Sequence, residues 1–496
     1  MTNLQQIIDY IKPDKTYNTE NNTPEITGIS YNSKSIKTGY IFVCIKGEHT
    51  DGHLYAEDAV KNGAAAIISE KKLPVEIPVL TVRNTELSLA QASAILNRFP
   101  GRELHMIGVT GTNGKTTVTH LIENIFEKTG LRCGLIGTMG YRYSSKDKYI
   151  ESKHTTPQAN DLQETLKEFL DKGIKNAVME VSSHSLEQNR VAECIFNGAV
   201  FTNLTQDHLD YHITMENYFL AKSRLFKQLK NIPNQQNYAV INKDDEYAER
   251  FINSVPQDIK TLTYGIKNES DIMAKNIEFS AYGSKFTCTT PAGTKEISLQ
   301  MAGMFSVYNA LAAIGTGIAE GIDFETCIEA LEATPSVAGR FEVVSREPLI
   351  IVDYAHTPDG LGNVLLAARE VVPEGGELIC VFGCGGDRDA TKRPKMGRIA
   401  ETLCDKVIVT SDNPRSEDPQ QIITDILSGI QSLNSSKTNV EIDRRIAIET
   451  AVRIAKNNDV IVLAGKGHEN YQILNTGTIH FDDREEAQNA LLQKHQ

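Results

Sequence analysis

The stretch "LHMIGVTGTNGKTTVTHLIENIF", Leu104 to Phe126, decides how the middle of the chain folds. Leu104, Met106, Ile107 and Val109 make a short apolar run, read as a buried strand. Beyond the glycines, Val118, Leu121, Ile122, Ile125 and Phe126 fall at i, i+3, i+4, i+7 and i+8, which is one face of a helix. Strand, glycine-rich loop and helix in that order are the setting a phosphate-binding loop requires. The loop supplies Gly111, Gly114, Lys115, Thr116 and Thr117. Backbone N–H groups in such a loop cradle phosphates, and the helix N-terminus adds its positive dipole end. Lys115 then reaches the terminal phosphates, and the Thr116 hydroxyl ligates Mg²⁺. The usual spacing has a glycine five residues before Gly114; Val109 stands there, so the loop is a variant. The competing reading is a glycine-rich turn that holds "GKT" by chance. The flanking strand and helix weigh against it.

The 496 residues are enough for about three domains at about 150 each. Hydrophobic content of 40% and charged content of 23% are those of a globular protein. The 51 basic and 64 acidic residues give a net charge of −13, which argues against nonspecific nucleic-acid binding. A polyanionic ligand must then be held by local groups rather than by the overall field. "MTNLQQIIDYIKPDK" does not read as a signal peptide. No apolar stretch reaches spanning length, so no membrane insertion is expected. The eight cysteines are scattered without a CxxC pair, so neither zinc nor a disulfide framework is expected. A reducing, cytoplasmic setting fits best.

Three regions differ in texture. Residues 1–100 mix short strands with one clear helix pattern, and Pro100-Gly101 marks a boundary. Residues 101–337 alternate strand and helix, then run through shorter strands to an Ala-rich helix. Residues 338–496, beyond the join "ATPSVAGRFEVV", alternate again. The expected fold is α/β in three domains: a smaller mixed α/β N-terminal domain, a central P-loop-type α/β domain and a C-terminal Rossmann-like α/β domain.

In the C-terminal region four apolar runs end in polar or glycine-rich corners, at Asp353 and His356, at Arg388, at Arg415 and at Glu469. Buried parallel strands read as such continuous runs, and open α/β sheets bind ligands beyond the carboxyl ends of their strands. Each corner alone reads equally well as a turn; four together point to a site. In the central region Glu180 ends one apolar run and His208 follows another. Alone, Glu180 reads as a buried carboxylate paired to a base and His208 as a turn cap. Their places after successive strands beside the phosphate loop favour metal ligands.

The motifs "TGTNGKTT", "MEVSSHSLEQNR", "NLTQDHLDYH" with "MENYFLAKSRLF", "AGRFE", "DYAHTPDG", "GCGGDRD", "SDNPR" and "AGKGHE" resemble the Mur ligases of peptidoglycan synthesis over nearly the whole chain. The N-terminal "GISYNSKSIKTGYIFVCIKG" resembles the family's uridine-binding segment, with Asn32-Ser33-Lys34 where the family usually shows Asp-Ser-Arg. The resemblance implies an ATP-dependent amide ligase that works through an acyl phosphate and acts on UDP-N-acetylmuramoyl-dipeptide. It implies that residues 1–100 bind the uridine part, residues 101–337 bind ATP with Mg²⁺, and residues 338–496 bind the incoming amino acid. A monomer is expected.

By the same resemblance, ATP lies on Gly111, Thr112, Asn113, Gly114, Lys115, Thr116 and Thr117, helped by Asn309, Arg340 and Asp353. The UDP-substrate contacts Ser33, Thr155, Thr156, Ser182, Gln188 and Arg190. Lys115, Glu180, His208 and Lys222 serve catalysis. Composition alone makes Lys222 a solvated helix lysine; the resemblance makes it N6-carboxylysine, which joins Thr116, Glu180 and His208 around the metal. Arg388, Asp412, Asn413, Pro414, Arg415, Gly465 and Glu469 bind the amino acid. Arg415 grips a carboxylate through two parallel hydrogen bonds, while Asp412 and Asn413 hold an ammonium. That pattern selects meso-diaminopimelate over L-lysine, whose far end is only a cation. The alternatives are an L-lysine-adding ligase, a folylpolyglutamate synthase-like ligase and a non-catalytic nucleotide-dependent switch.

Overall fold

The computed structural model describes residues 2–20, 23–47, 50–232, 236–280, 282–431 and 436–494. Each of the three regions builds its own sheet. In the first, the strands run in the order Lys15–Tyr17, Val79–Thr81, Ala64–Ser69, Tyr40–Val43 and Gly28–Ser30. The last four are parallel and Lys15–Tyr17 is antiparallel. Helices Leu4–Ile11, Ala56–Lys61 and Thr85–Leu96 accompany this sheet, more than the one helix legible in the sequence. Ala56–Lys61 is too short to show a period. Thr85–Leu96 buries Ser88, Ala90, Ala92, Ser93 and Ala94, small residues that leave no single apolar stripe.

The Pro100-Gly101 break is a packed junction. Arg98 and Phe99 take left-handed backbone angles, and Pro100 opens the short helix Pro100–Glu103. Arg102 Nη2 then reaches Glu193 Oε2 at 2.6 Å, and Tyr10 donates to the same oxygen at 2.9 Å. The first two regions are therefore tied together by side chains on both sides of the boundary.

The central sheet places His105–Thr110 between Asn176–Glu180 and Phe196–Phe201, all parallel. Three adjacent strands thus deliver Gly111, Glu180 and the loop from Thr202 to His208 to one edge. The sheet continues through Tyr238–Asn242 and Lys260–Gly265 to an antiparallel meander over Ile272–Ser280, Gly283–Thr290 and Gly293–Leu299. Helix Lys115–Lys128 buries the five apolar residues of its predicted face, but also Thr119, His120 and Glu123. It is enclosed because helices Met304–Ala319 and Phe324–Glu332 cover its other side. The polar groups are satisfied there: His120 Nδ1 pairs with Thr116 O at 2.6 Å, and Arg142 Nε donates to Glu123 at 2.9 Å.

The C-terminal sheet runs Glu342–Arg346, Leu349–Asp353, Val460–Ala464, Leu378–Phe382, Lys406–Val409 and Thr438–Val440. All but the antiparallel edge strand Glu342–Arg346 are parallel. The four corners therefore do share one edge, as a Rossmann-like arrangement requires. Among the described residues no helix is long and apolar enough to cross a membrane, and the eight cysteines are unpaired and buried.

A buried ion pair fixes one of these corners. Arg444 and Asp483 are fully buried, with Nε–Oδ1 at 2.7 Å and Nη2–Oδ2 at 2.6 Å, and Nη2 also donates to Ala464 O at 3.0 Å. Ala464 ends the strand that leads into Gly465. Removing one partner leaves an uncompensated buried charge. Asp483→Asn is expected to lower unfolding stability by about 3–5 kcal/mol in urea titrations. A loss below about 1 kcal/mol would show that the pair contributes little.

Candidate functional site

A cleft of about 610 Å³ lies between the carboxyl edges of the central and C-terminal sheets. Its lining includes Thr112 to Thr117, Thr155, Glu180, Ser182, His208, Lys222, Asn309, Arg340, Asp353, Arg388, Asp412, Asn413, Arg415, Gly465 and Glu469. The sequence analysis singled out every one of these. Gly111, Thr156, Gln188, Arg190, Pro414 and Ser33 do not line it. Ser33 opens a short 3-10 turn in the first region, where its carbonyl accepts from Asn62 at 2.9 Å.

Gly114 turns the phosphate loop with a φ of +86°, and a Cβ there would sit 2.5 Å from Asn309 Oδ1. Only glycine allows that approach, so the Ala-rich helix touches the loop through Asn309. Val109 is a buried strand residue, and Gly111 makes the turn in its place. Lys115 Nζ donates to Gly111 O at 2.9 Å and Thr112 O at 2.8 Å. Arg340 Nη2 donates to the Thr116 hydroxyl at 2.9 Å from across the cleft, and its guanidinium lies over the Tyr354 ring. The Asp353 carboxylate accepts from Phe341 N and Ala355 N, both at 2.7 Å, and so holds the segment that carries Arg340.

Lys222 is not the solvated residue its composition suggested. It is 1% exposed, and its Nζ donates to Gly111 O at 2.7 Å. Helix Met215–Lys227 presents it inward, against the back of the phosphate loop. Burial first, then the Lys115 cation, holds its ammonium well below the ordinary lysine range, with Asp207 opposing. Glu180 is also buried. Its oxygens accept from Thr138 N at 2.9 Å and the Thr138 hydroxyl at 3.1 Å, neither of them charged. Among the described residues no cation pairs directly with it, which suits a metal ion. His208 takes a left-handed φ of +53° and lies 3.3 Å from Asp207. Although its side chain is 43% exposed, desolvation in the cleft pushes its ring below the usual histidine range; Asp207 opposes this, and His184, Lys222 and Lys115 add to it. Among the described residues no three of His, Cys, Asp and Glu converge as a metal nest. Thr116 and Lys222, outside that set, are the further donors expected.

Of the residues assigned to the UDP-substrate, Thr156, Ser182, Gln188 and Arg190 are joined by hydrogen bonds, Thr155 reaches them through Thr138 and Glu180, and Ser33 stands apart. Thr155 and Thr138 hydroxyls are 3.2 Å apart, and Thr156 donates to Glu180 O at 2.9 Å. Ser182 N donates to the Thr156 hydroxyl at 3.0 Å, and Arg190 Nη1 to Thr156 O at 2.9 Å. Arg190 also holds Gln188 Oε1, at 3.0 Å and 2.6 Å. The loop that carries Thr155 and Thr156 is thus locked to the strand that ends in Glu180.

At the opposite wall, Arg415 has a left-handed φ of +53°, and Nη1 donates to Gly386 O at 2.8 Å. Asn413 uses its amide oxygen for Ile473 N at 2.9 Å and Lys466 at 3.3 Å, and its amide nitrogen for Glu469 at 2.8 Å. Both the oxygen and the nitrogen of its amide are thus engaged within the protein, and it positions Glu469. More than half of the lining was not singled out as ligand contacts, including Thr138, Asp207, Asp244, His356, Asp359 and Lys392. Asp359 accepts from Asn113 at 2.7 Å and Thr205 at 3.3 Å, joining the phosphate loop to the C-terminal region. It stands in the quoted "DYAHTPDG", the one signal that marked it.

A phosphate loop with Lys115, the buried Lys222 and the buried Glu180 carboxylate on one wall, facing charged side chains on another, define a nucleotide-dependent enzyme that joins two substrates between α/β domains. Family models match residues 25–100 (Mur ligase family, catalytic domain), 109–317 (Mur ligase middle domain) and 339–467 (Mur ligase, glutamate ligase domain). The chain belongs to the Mur ligase family, as its motifs implied. It is 46% identical over 494 residues to the UDP-N-acetylmuramoyl-L-alanyl-D-glutamate–2,6-diaminopimelate ligase of Bacillus velezensis, covering 99% of each chain. The ligase of the same name from Listeria monocytogenes is 47% identical over 476 residues, covering 95% of each. A solved structure of a ligase of that name superposes with a TM-score of 0.66 at 36% identity, covering 95% of this chain and 96% of the other. A Mycobacterium tuberculosis folylpolyglutamate synthase, with a TM-score of 0.63 at 19% identity over 76% of this chain and 92% of that one, shares the fold.

Proposed function

We propose that this chain is an ATP-dependent ligase that adds meso-2,6-diaminopimelate to UDP-N-acetylmuramoyl-L-alanyl-D-glutamate, in the cytoplasm and as a monomer. The observation that carries the reading is one cleft with a phosphate loop on one wall and Arg415 beside Asp412 and Glu469 on the other. Residues 1–100 take the uridine end, 101–337 take ATP and 338–496 take the amino acid.

A carboxylate is a poor electrophile. Transfer of the ATP γ-phosphoryl to the substrate carboxylate gives an acyl phosphate and ADP. The neutral amine of diaminopimelate then attacks the acyl carbon, the C–N bond forms, phosphate leaves and the amine loses a proton. The protein's work is positioning and charge neutralisation. The N–H groups of residues 111 to 117 and Lys115 hold the phosphates, and Asn309, Arg340 and Asp353 frame the nucleotide. Thr155, Thr156, Ser182, Gln188 and Arg190 hold the muramoyl-dipeptide, with Ser33 at its uridine end. Mg²⁺ would be held by Thr116, Glu180, His208 and carboxylated Lys222, and would supply positive charge opposite the transferring phosphoryl group. Closing the two walls keeps water from the acyl phosphate.

The test is ADP release with UDP-muramoyl-dipeptide present and each amino acid supplied in turn. Release is expected with meso-diaminopimelate and only weakly with L-lysine. Release with lysine alone, or release driven by a folate with glutamate, would assign the chain to another ligase. ATP binding without amide formation would make it a switch.

A further inference from the structure

Behind the amino-acid wall lies a charge that the reaction above does not use. Lys466 is 0% exposed and does not line the cleft. A lysine is rarely so buried, and its charge there must be matched. Its Nζ lies 3.5 Å from Asp412 Oδ1, 3.4 Å from Glu469 Oε2 and 3.3 Å from Asn413 Oδ1. Nζ thus hydrogen-bonds Asn413 and Glu469 and pairs in charge alone with Asp412, from beneath the site. These distances exceed the 2.7–2.9 Å of tight charge-assisted bonds, and both carboxylate residues line the cleft. Asp412 Oδ1 is buried and has no hydrogen-bond partner among the described residues. Gly465 makes the packing possible, since a Cβ there would lie 3.1 Å from Asp412 Oδ2. Burial, then the Asp412 charge, pushes the Glu469 carboxyl up, and Lys466 opposes that rise.

We propose that Lys466 is a positioning residue for amino-acid selection: it cancels one of the two carboxylate charges of Asp412 and Glu469 and leaves one net negative charge beside Arg415. This rests on the reading of the cleft as an amino-acid site. Two unscreened carboxylates would attract any ammonium, including the lone one at the end of L-lysine. One net negative charge beside a guanidinium instead matches a ligand end that carries an ammonium and a carboxylate together. Selection then comes partly from attraction withheld from the simpler ligand. A lysine that only braced the hairpin from Tyr471 to His480 would, when replaced, weaken both amino acids alike.

The experiment is calorimetric binding of meso-diaminopimelate and of L-lysine to the full chain, with a non-hydrolysable ATP analogue and the UDP-substrate present. It compares wild type, Lys466→Met and Glu469→Gln. Lys466→Met is expected to move the ratio of the two Kd values toward lysine by on the order of tenfold. Glu469→Gln removes one negative charge from the same cluster and is expected to move the ratio away from lysine. An unchanged ratio in Lys466→Met, or shifts of the same sign in both variants, overturns the proposal. If Lys466→Met does not fold, the sign of the Glu469→Gln shift decides alone, and a shift toward lysine or none overturns it. Wild-type protein that binds neither amino acid removes the reading of the site itself, and the proposal with it. The wild-type arm tells that outcome apart from a failure of Lys466 alone.

Discussion

Lys222→Ala is expected to lower turnover at least about a hundredfold, or about 3 kcal/mol of barrier, while the protein stays folded. Lys222 and Lys115 both donate to the Gly111 carbonyl, at 2.7 Å and 2.9 Å. Two ammonium groups on one acceptor in a buried pocket repel each other, and burial already favours the neutral amine at Lys222. A neutral amine adds CO₂: its lone pair forms an N–C bond, a proton leaves, and a carbamate anion results. The repelling pair becomes an attracting one, with Lys115 as the partner. The new oxygens are of the kind that bind Mg²⁺, which an ammonium cannot do. Alanine leaves a cavity but also removes a polar group that is costly to bury, so the loss should appear in kcat more than in the melting temperature. ADP release is measured for the variant, and for wild type in CO₂-free buffer before and after bicarbonate is added. Wild type should lose activity without CO₂ and regain it. Full activity after rigorous CO₂ removal would sink the carbamate, and a variant that keeps more than a tenth of wild-type turnover would sink the role of Lys222.

The sequence made most of this cleft legible because the features concerned are local. A strand, a glycine-rich turn and a helix follow one another around Gly114, and each C-terminal corner follows its own apolar run. What it hid depends on distant partners. "FLAKSRLF" reads as an amphipathic helix, and only the packing of that helix against the Gly111 turn buries Lys222. Lys466 stands inside a quoted motif, yet its meaning comes from Asp412, which follows the strand Lys406–Val409 far earlier in the chain. Asp359 acts because it meets Asn113 from another domain. Helix Lys115–Lys128 showed one apolar face, while its burial on the others comes from helices almost two hundred residues away. Side-chain period reports which face could be covered, not how many partners arrive.

Arg415→Ala is expected to weaken use of meso-diaminopimelate by on the order of a hundredfold or more in kcat/KM while ATP affinity stays nearly intact. The incoming amino acid must bring one amine to the acyl phosphate while its far end is read. L-lysine ends in a cation; meso-diaminopimelate ends in an amine and a further carboxylate. Arg415 is permanently charged and can hold a carboxylate through two parallel hydrogen bonds. The structure aims it from a left-handed turn closed by Glu417 N to Pro414 O at 3.0 Å and Arg415 N to Ile473 O at 3.1 Å. Gly385 leaves it space, since a Cβ there would lie 2.8 Å from Arg415 Nη1. One guanidinium nitrogen is tied to Gly386 O, which fixes the plane without using all five donors. A cation placed opposite is repelled, so the same side chain both attracts one amino acid and rejects the other. The phosphate loop lies on the far wall of the cleft, which is why ATP binding should not follow the loss. The check is steady-state ADP release across diaminopimelate, lysine and ATP concentrations for wild type and Arg415→Ala. A wild type that uses both amino acids equally, or a variant whose preference is unchanged, would leave the "SDNPR" corner as a turn and nothing more.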